Sequence, residues 1–289
     1  MFGDNHVHMV LDGVYYKDAI ARHRTGGNEP FVRETLSKYR DAGVTYLRDG
    51  GDRFGACTMA ARLAPEYGIE YRTPFFPICR KGRYGEFIGR SFTDFAGYRA
   101  LLDEVRAGGG DFVKFMASGI MDFDRFGAVT SEPLELSELK DMVAAAHDLG
   151  FAVMVHVNGA EAVRRVLLAG ADSIEHGAYQ DDECLHLLAE SGAVWVPTAV
   201  TIGNLRGKGR YDERAVEQIL ESHLQNIQAA HKYGAKLALG SDAGAWEVFH
   251  VDGITGELAL FQQVLGVEAE EVLRRGENEI KTRFRKQSI

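Results

Sequence analysis

LSELKDMVAAAHDLGFAVMVH, residues 136–156, contains in one stretch the unit from which the chain is built. Residues 136–150 follow a helical pattern and close on Gly150, a residue that ends helices because it enters the left-handed conformation freely. The apolar run FAVMV follows and stops at His156. Helix, glycine and strand in that order predict a parallel β/α architecture.

The unit recurs on both sides. Strand-like runs fall at 2–8, 44–49, 71–76, 111–116, 151–156, 172–175, 193–198 and 236–241. Between them lie helical patterns such as 211–234, where Val216, Ile219, Leu220, Leu224 and Ile227 recur at helical spacing and form one apolar face. Gly43, Gly170, Gly192 and Gly234 stand before strands as Gly150 does. Eight strands alternating with helices favour an α/β fold closed as a (β/α)8 TIM barrel, with its active site at the C-terminal ends of the strands. No Pro/Ser-rich linker divides the chain, so residues 1–289 read as a single barrel domain, with helices of about 254–289 packed outside it.

Composition narrows the function. Of 289 residues 45% are hydrophobic and 26% charged, as in a soluble globular protein. A net charge of −9 argues against nucleic acid or a membrane surface as partner. No apolar run approaches the ~18 residues of a membrane span. The opening MFGDNHVHMV has neither the basic nor the apolar region of a signal peptide. Cys57, Cys79 and Cys184 have no disulfide or zinc-finger spacing and suit a reducing cytoplasm, where the chain is expected. The oligomeric state is open, a homo-oligomer included.

Chemistry appears at the strand ends. In DNHVH, residues 4–8, His6 and His8 are two apart and share one face of the first strand. Lys114 lies in the fourth strand between Val113 and Phe115, His156 ends the fifth, Glu175 and His176 end the sixth, and Asp242 follows the eighth in LALGSDAG. Each alone has a plain reading: a hydrogen-bonded rim histidine, or a turn capping a helix. Together they converge on one barrel mouth, as a metal site requires. A lysine among cation-binding histidines faces both desolvation and like-charge repulsion. Addition of carbon dioxide to its amine gives a carbamate, an anion whose two oxygens can bridge two metals.

This order of residues resembles the amidohydrolase superfamily, in its binuclear subtype with a carboxylated lysine. Residues 113–163 and 170–198 are similar to the branch of imidazolonepropionase and the metal-dependent Xaa-Pro and Xaa-Arg dipeptidases. The resemblance implies two divalent metals, zinc by expectation. His6, His8 and Asp242 would hold the more buried one and His156 and His176 the other, with carboxylated Lys114 as the bridge. It further implies a metal-bridging hydroxide as nucleophile and Asp242 as proton shuttle, cleaving a C–N amide bond in a dipeptide, an N-acyl amino acid or a cyclic amide. The β-sandwich usual in that branch is expected to be missing, because the chain opens on the first strand.

Other residues are candidates for the substrate. The loops CRKGRYG (79–85) and NLRGKGRY (204–211) are basic in an acidic chain. Lys81, Arg83 and Arg206, with Arg80, Lys208 and Arg210, are expected to favour a small carboxylate-bearing molecule. His250, after the eighth strand, is a further candidate contact. Asp49 is expected to organise a loop, and His23, His147, His186, His223 and His231 to be structural. Four readings compete: a lactonase or phosphotriesterase on the same metals, a mononuclear deaminase that needs no Lys114, a non-catalytic binding barrel, and a non-hydrolytic isomerase or decarboxylase on the same scaffold.

Overall fold

A computed structural model describes residues 1–286. Ten short strands are present among the described residues: β1 Asp4–Val7, β2 Tyr46–Asp49, β3 Glu70–Arg72, β4 Ile78–Arg80, β5 Arg90–Phe92, β6 Val113–Met116, β7 Val153–Val157, β8 Ser173–His176, β9 Val194–Val196 and β10 Lys236–Leu237. All pairings between them are parallel, in the orders β1-β2-β3 and β10-β9-β8-β7-β6-β4-β5.

Hydrogen bonds close these two sheets into one barrel. On one side Asn5 N donates to Leu239 O at 3.1 Å, Asp242 N to His6 O at 2.7 Å and His8 N to Ala243 O at 2.8 Å. On the other, the third barrel strand is broken. Its first half, β3, pairs with β2, and its second half, β4, pairs with β6. The break falls at Thr73–Pro77, where two prolines lack a donor and Phe75 takes φ 71°. Asp111 N reaches Thr73 O across the gap at 2.8 Å. The strand expected over 71–76 therefore ends at Arg72, and β4 and β5 are additional to the sequence reading.

Helices start where the sequence supplies caps. Asn28, Asp94, Asp181 and Asp212 each accept a backbone N–H of the first turn, at 3.0, 2.8, 2.9 and 2.7 Å. The helical patterns at 136–150 and 211–234 form helices Leu136–Asp148 and Glu213–Lys232, and the latter buries the five apolar residues of its predicted face.

The last helices do more than coat the barrel. Ile280, near the end of helix Ala269–Arg283, and Phe284 just beyond it pack on Tyr46, Phe112, Met154, Val194, Val196 and Ala238, so this element closes the floor. Gly276 permits the approach, since a Cβ there would overlap the Leu237 carbonyl. Residues 287–289 of the expected helical tail lie outside the described residues. No described helix is long and apolar enough to cross a membrane.

Candidate metal centre

Above the floor the barrel interior turns polar. Alternation along parallel strands points Arg48, Glu175 and Lys114 into the barrel, and all three are buried. Glu175 Oε1 accepts from Arg48 Nη2 at 2.8 Å and from Ser173 Oγ at 2.6 Å, and Oε2 lies 2.8 Å from His6 Nδ1. That contact fixes the His6 proton on Nδ1 and turns the Nε2 lone pair toward the mouth.

Around that lone pair the expected residues assemble. Lys114 Nζ is 3.0 Å from His6 Nε2 and 3.4 Å from His8 Nε2. Asp242 Oδ1 is 3.5 Å from each of these imidazole nitrogens. The His176 ring centroid is 5.1 Å from that of His6 and 4.6 Å from that of His156. Thr198 Oγ1 contacts His176 Nδ1 at 2.7 Å, leaving Nε2 free, and His156 Nε2 donates to the Gly119 carbonyl at 3.2 Å.

Backbone strain collects here. His176 (φ 65°), Thr198 (φ 50°) and Asp242 (φ 57°) are non-glycine residues in the left-handed region. Such conformations cost about 1–3 kcal/mol each and persist where surrounding structure enforces them. At His176 the consequence is visible. Alternation already sends Glu175 inward, and the left-handed turn brings the next residue to the same interior.

The residues fit divalent metal. His6, His8 and Asp242 present ligand atoms within 4.8 Å of one another. The four imidazoles are held well below their usual range, first by burial, with neighbouring positive charges adding to it; His156 is pushed down to about 3. They are neutral lone-pair donors at pH 7, as metal binding requires. Burial drives the Lys114 amine down and the Asp242 carboxyl up. The second strand sends no side chain here. A Cβ on Gly50 would collide with His8 and stand 2.5 Å from Lys114 Nζ.

The centre opens into a cavity of about 380 Å³ bordered by His8, Lys114, His156, His176 and Asp242 at its base, and by Leu11, Tyr15, Tyr16, Tyr84, Phe87 and Trp246 on its walls. One cation of the two basic loops borders it, Arg210, whose guanidinium lies 4.4 Å from the Trp246 ring centroid and 5.3 Å from that of Tyr211.

The remaining candidate substrate contacts lie elsewhere. Lys81 is exposed, Arg83 donates to the Glu132 carbonyl at 3.2 Å, and Arg206 donates to Gly203 O at 3.2 Å while facing a separate groove along helix Glu213–Lys232. Arg80 and Lys208 pair with Glu138 and Glu247. His250 is corrected as well: its nitrogens contact Tyr39 Oη and Leu11 O, each at 3.0 Å, which holds it in a surface groove away from the centre. Asp49 does organise a loop, accepting from Met9 N, Gly51 N and Tyr71 Oη. The five histidines read as structural contact Asn28, Asp172, Tyr233, Pro197 and Glu268, away from the centre.

Sequence reading missed the roles of Glu175 and Arg48 beneath the centre and the place of Tyr84 on the cavity wall. The first two carried a signal, an acid and a base at inward positions of apolar strands. Tyr84 lies in a loop, where no periodicity tells which side chain turns inward.

The chain has relatives among known proteins. An ochratoxinase of Aspergillus niger is 32% identical over 153 residues, half of this chain and 31% of that protein. An uncharacterised protein of Mycobacterium bovis is 31% identical over 251 residues, 81% of this chain and 62% of that one. The matched segments thus cover less than two thirds of the length of either relative. The solved structure of a Xaa-Pro dipeptidase with methionine in its active site superposes with a TM-score of 0.72 at 21% identity, over 98% of this chain and 74% of that one, and it shares the barrel fold. The sequence profile of the amidohydrolase family matches residues 33–284, nearly the whole barrel, and the chain belongs to the amidohydrolase family.

Proposed function

We propose that the protein is a metal-dependent hydrolase of a C–N amide bond in a small carboxylate-bearing molecule. The carrying observation is the convergence of His6, His8, Lys114, His156, His176 and Asp242 at the base of one cavity whose rim bears Arg210. A dipeptidase among the structural neighbours and an ochratoxinase among the relatives support a hydrolase.

His6, His8 and Asp242 would hold one divalent ion and His156 and His176 a second, with Lys114, carboxylated, between them. Nitrogen-rich donor sets of this kind suit zinc. Metal bound there would lower the pKa of water toward neutrality and polarise the scissile carbonyl. Asp242 is partly open to the cavity and acts as the acceptor for the water proton, then returns it to the leaving nitrogen. The Glu175–Arg48 pair keeps the His6 tautomer fixed throughout.

Arg210 has no carboxylate partner among the described residues, and its planar donors match a substrate carboxylate. The test is a panel of dipeptides, N-acyl amino acids, cyclic amides and lactones with zinc-loaded protein. The highest kcat/KM is expected on a carboxylate-bearing amide, and Arg210→Ala should raise KM about tenfold while changing kcat less than about twofold. Far faster hydrolysis of neutral lactones would overturn the amide assignment.

A further inference from the structure

Glu257 is buried behind the centre, on the helix Asp252–Leu265, and has no cation partner among the described residues. Keeping a carboxyl group out of water is costly, and an apolar side chain would fill the same space without that cost. Both of its oxygens are committed. Oε1 accepts from Ala199 N at 3.0 Å and Oε2 from Val200 N at 2.7 Å, consecutive amides of the turn that leaves β9. Burial pushes this carboxyl up to about 8, and with or without the proton both oxygens keep acceptor capacity.

The helix comes close through two glycines on the same face as Glu257. A Cβ on Gly256 would lie 2.7 Å from Val200 Cγ2, and one on Gly253 would lie 2.7 Å from Ser241 Cβ, next to Asp242. The turn is pinned at other points as well. His223 Nε2 donates to Pro197 O at 3.0 Å, and Thr201 N donates to Thr198 O at 3.0 Å. Thr198 stands between these anchors with φ 50°, a conformation that a β-branched residue keeps only where its surroundings impose it. Its Oγ1 lies 2.7 Å from His176 Nδ1. A shift of the turn would carry this hydroxyl away and let the His176 proton move to Nε2, the nitrogen left free for a metal.

We propose that Glu257 is a positioning residue for the second metal: it fixes the turn that carries Thr198, and Thr198 Oγ1 holds the His176 proton on Nδ1. Nε2 then stays a lone-pair donor. Glu257 takes part in no proton transfer. The proposal rests on the reading of His176 as a ligand of the second ion.

Glu257→Gln keeps the size and loses one acceptor, because an amide nitrogen cannot accept. The full chain is titrated with zinc against a chelator. One zinc site should loosen about tenfold and the other should stay within about twofold. Thr198→Val should loosen the same site, and Thr198→Ser, which keeps the hydroxyl, should leave both within about twofold. The double variant should lie within about twofold of Thr198→Val alone, since one residue acts through the other. Unchanged zinc affinities in Glu257→Gln would overturn the proposal. So would additive losses in the double variant, or equal loosening of both sites, which marks a general loss of structure. If Glu257→Gln does not fold, Glu257→Asp, one methylene shorter, is judged by the same criteria. If the unsubstituted protein binds a single zinc, the binuclear reading falls and the nitrogen NMR shifts of the His176 ring decide Glu257 alone. Movement of the proton from Nδ1 to Nε2 in the variant keeps the proposal, and an unchanged tautomer removes it.

Discussion

Lys114→Ala is expected to lose most bound zinc and to lower activity at least about 100-fold, with short-chain carboxylic acids restoring part of both. The amine is buried, 3.0 Å and 3.4 Å from two imidazole nitrogens. An ammonium beside two divalent ions would be repelled by both. A carbamate reverses the sign of the charge and supplies two oxygens. Alanine removes them and leaves a space that a small carboxylate can enter. Elemental analysis and rate measurements with and without added acetate or propionate check this. Full zinc and full activity in the variant would exclude a bridging role.

Asp242→Asn is expected to lower kcat by about 1,000-fold, a larger loss than in KM. The substitution preserves size and one oxygen, so the geometry with His6 and His8 at 3.5 Å can persist. What would disappear is the proposed acceptor for the water proton. Burial raises the pKa of this carboxyl, which makes it a stronger base than an exposed aspartate and suits it to pass a proton on. Metal content is measured on the same preparation, because Asn is also a poorer ligand. A variant that keeps its zinc and its kcat would move the proton transfer to another group.

Much of the centre was legible because it follows backbone periodicity. His6 and His8 share a face by the two-residue repeat of a strand, and His156 and Asp242 close recognisable strand units. His176 is different. It follows an inward Glu175, so alternation would send it outward, and it reaches the centre through its left-handed backbone. Its place at the strand end was readable from the sequence, and its inward direction was not. The third barrel strand was misplaced for a related reason: Pro74 and Pro77 break the ladder, and a split strand carries no continuous pattern. Loops were the least legible. The basic residues of two loops looked alike in sequence. Acids supplied by distant segments, Glu138 and Glu247, neutralise Arg80 and Lys208, and Arg210 alone of the group borders the cavity. His250 looked free until Tyr39 and Leu11 were brought to it.

The proposed binuclear centre is tested most directly by elemental analysis of protein purified without chelators and dialysed against zinc. The proposed assignment of His6, His8, Lys114, His156, His176 and Asp242 as ligands predicts about two zinc ions per chain. A value that stays at one with excess zinc or manganese would contradict it and favour a mononuclear deaminase-like centre.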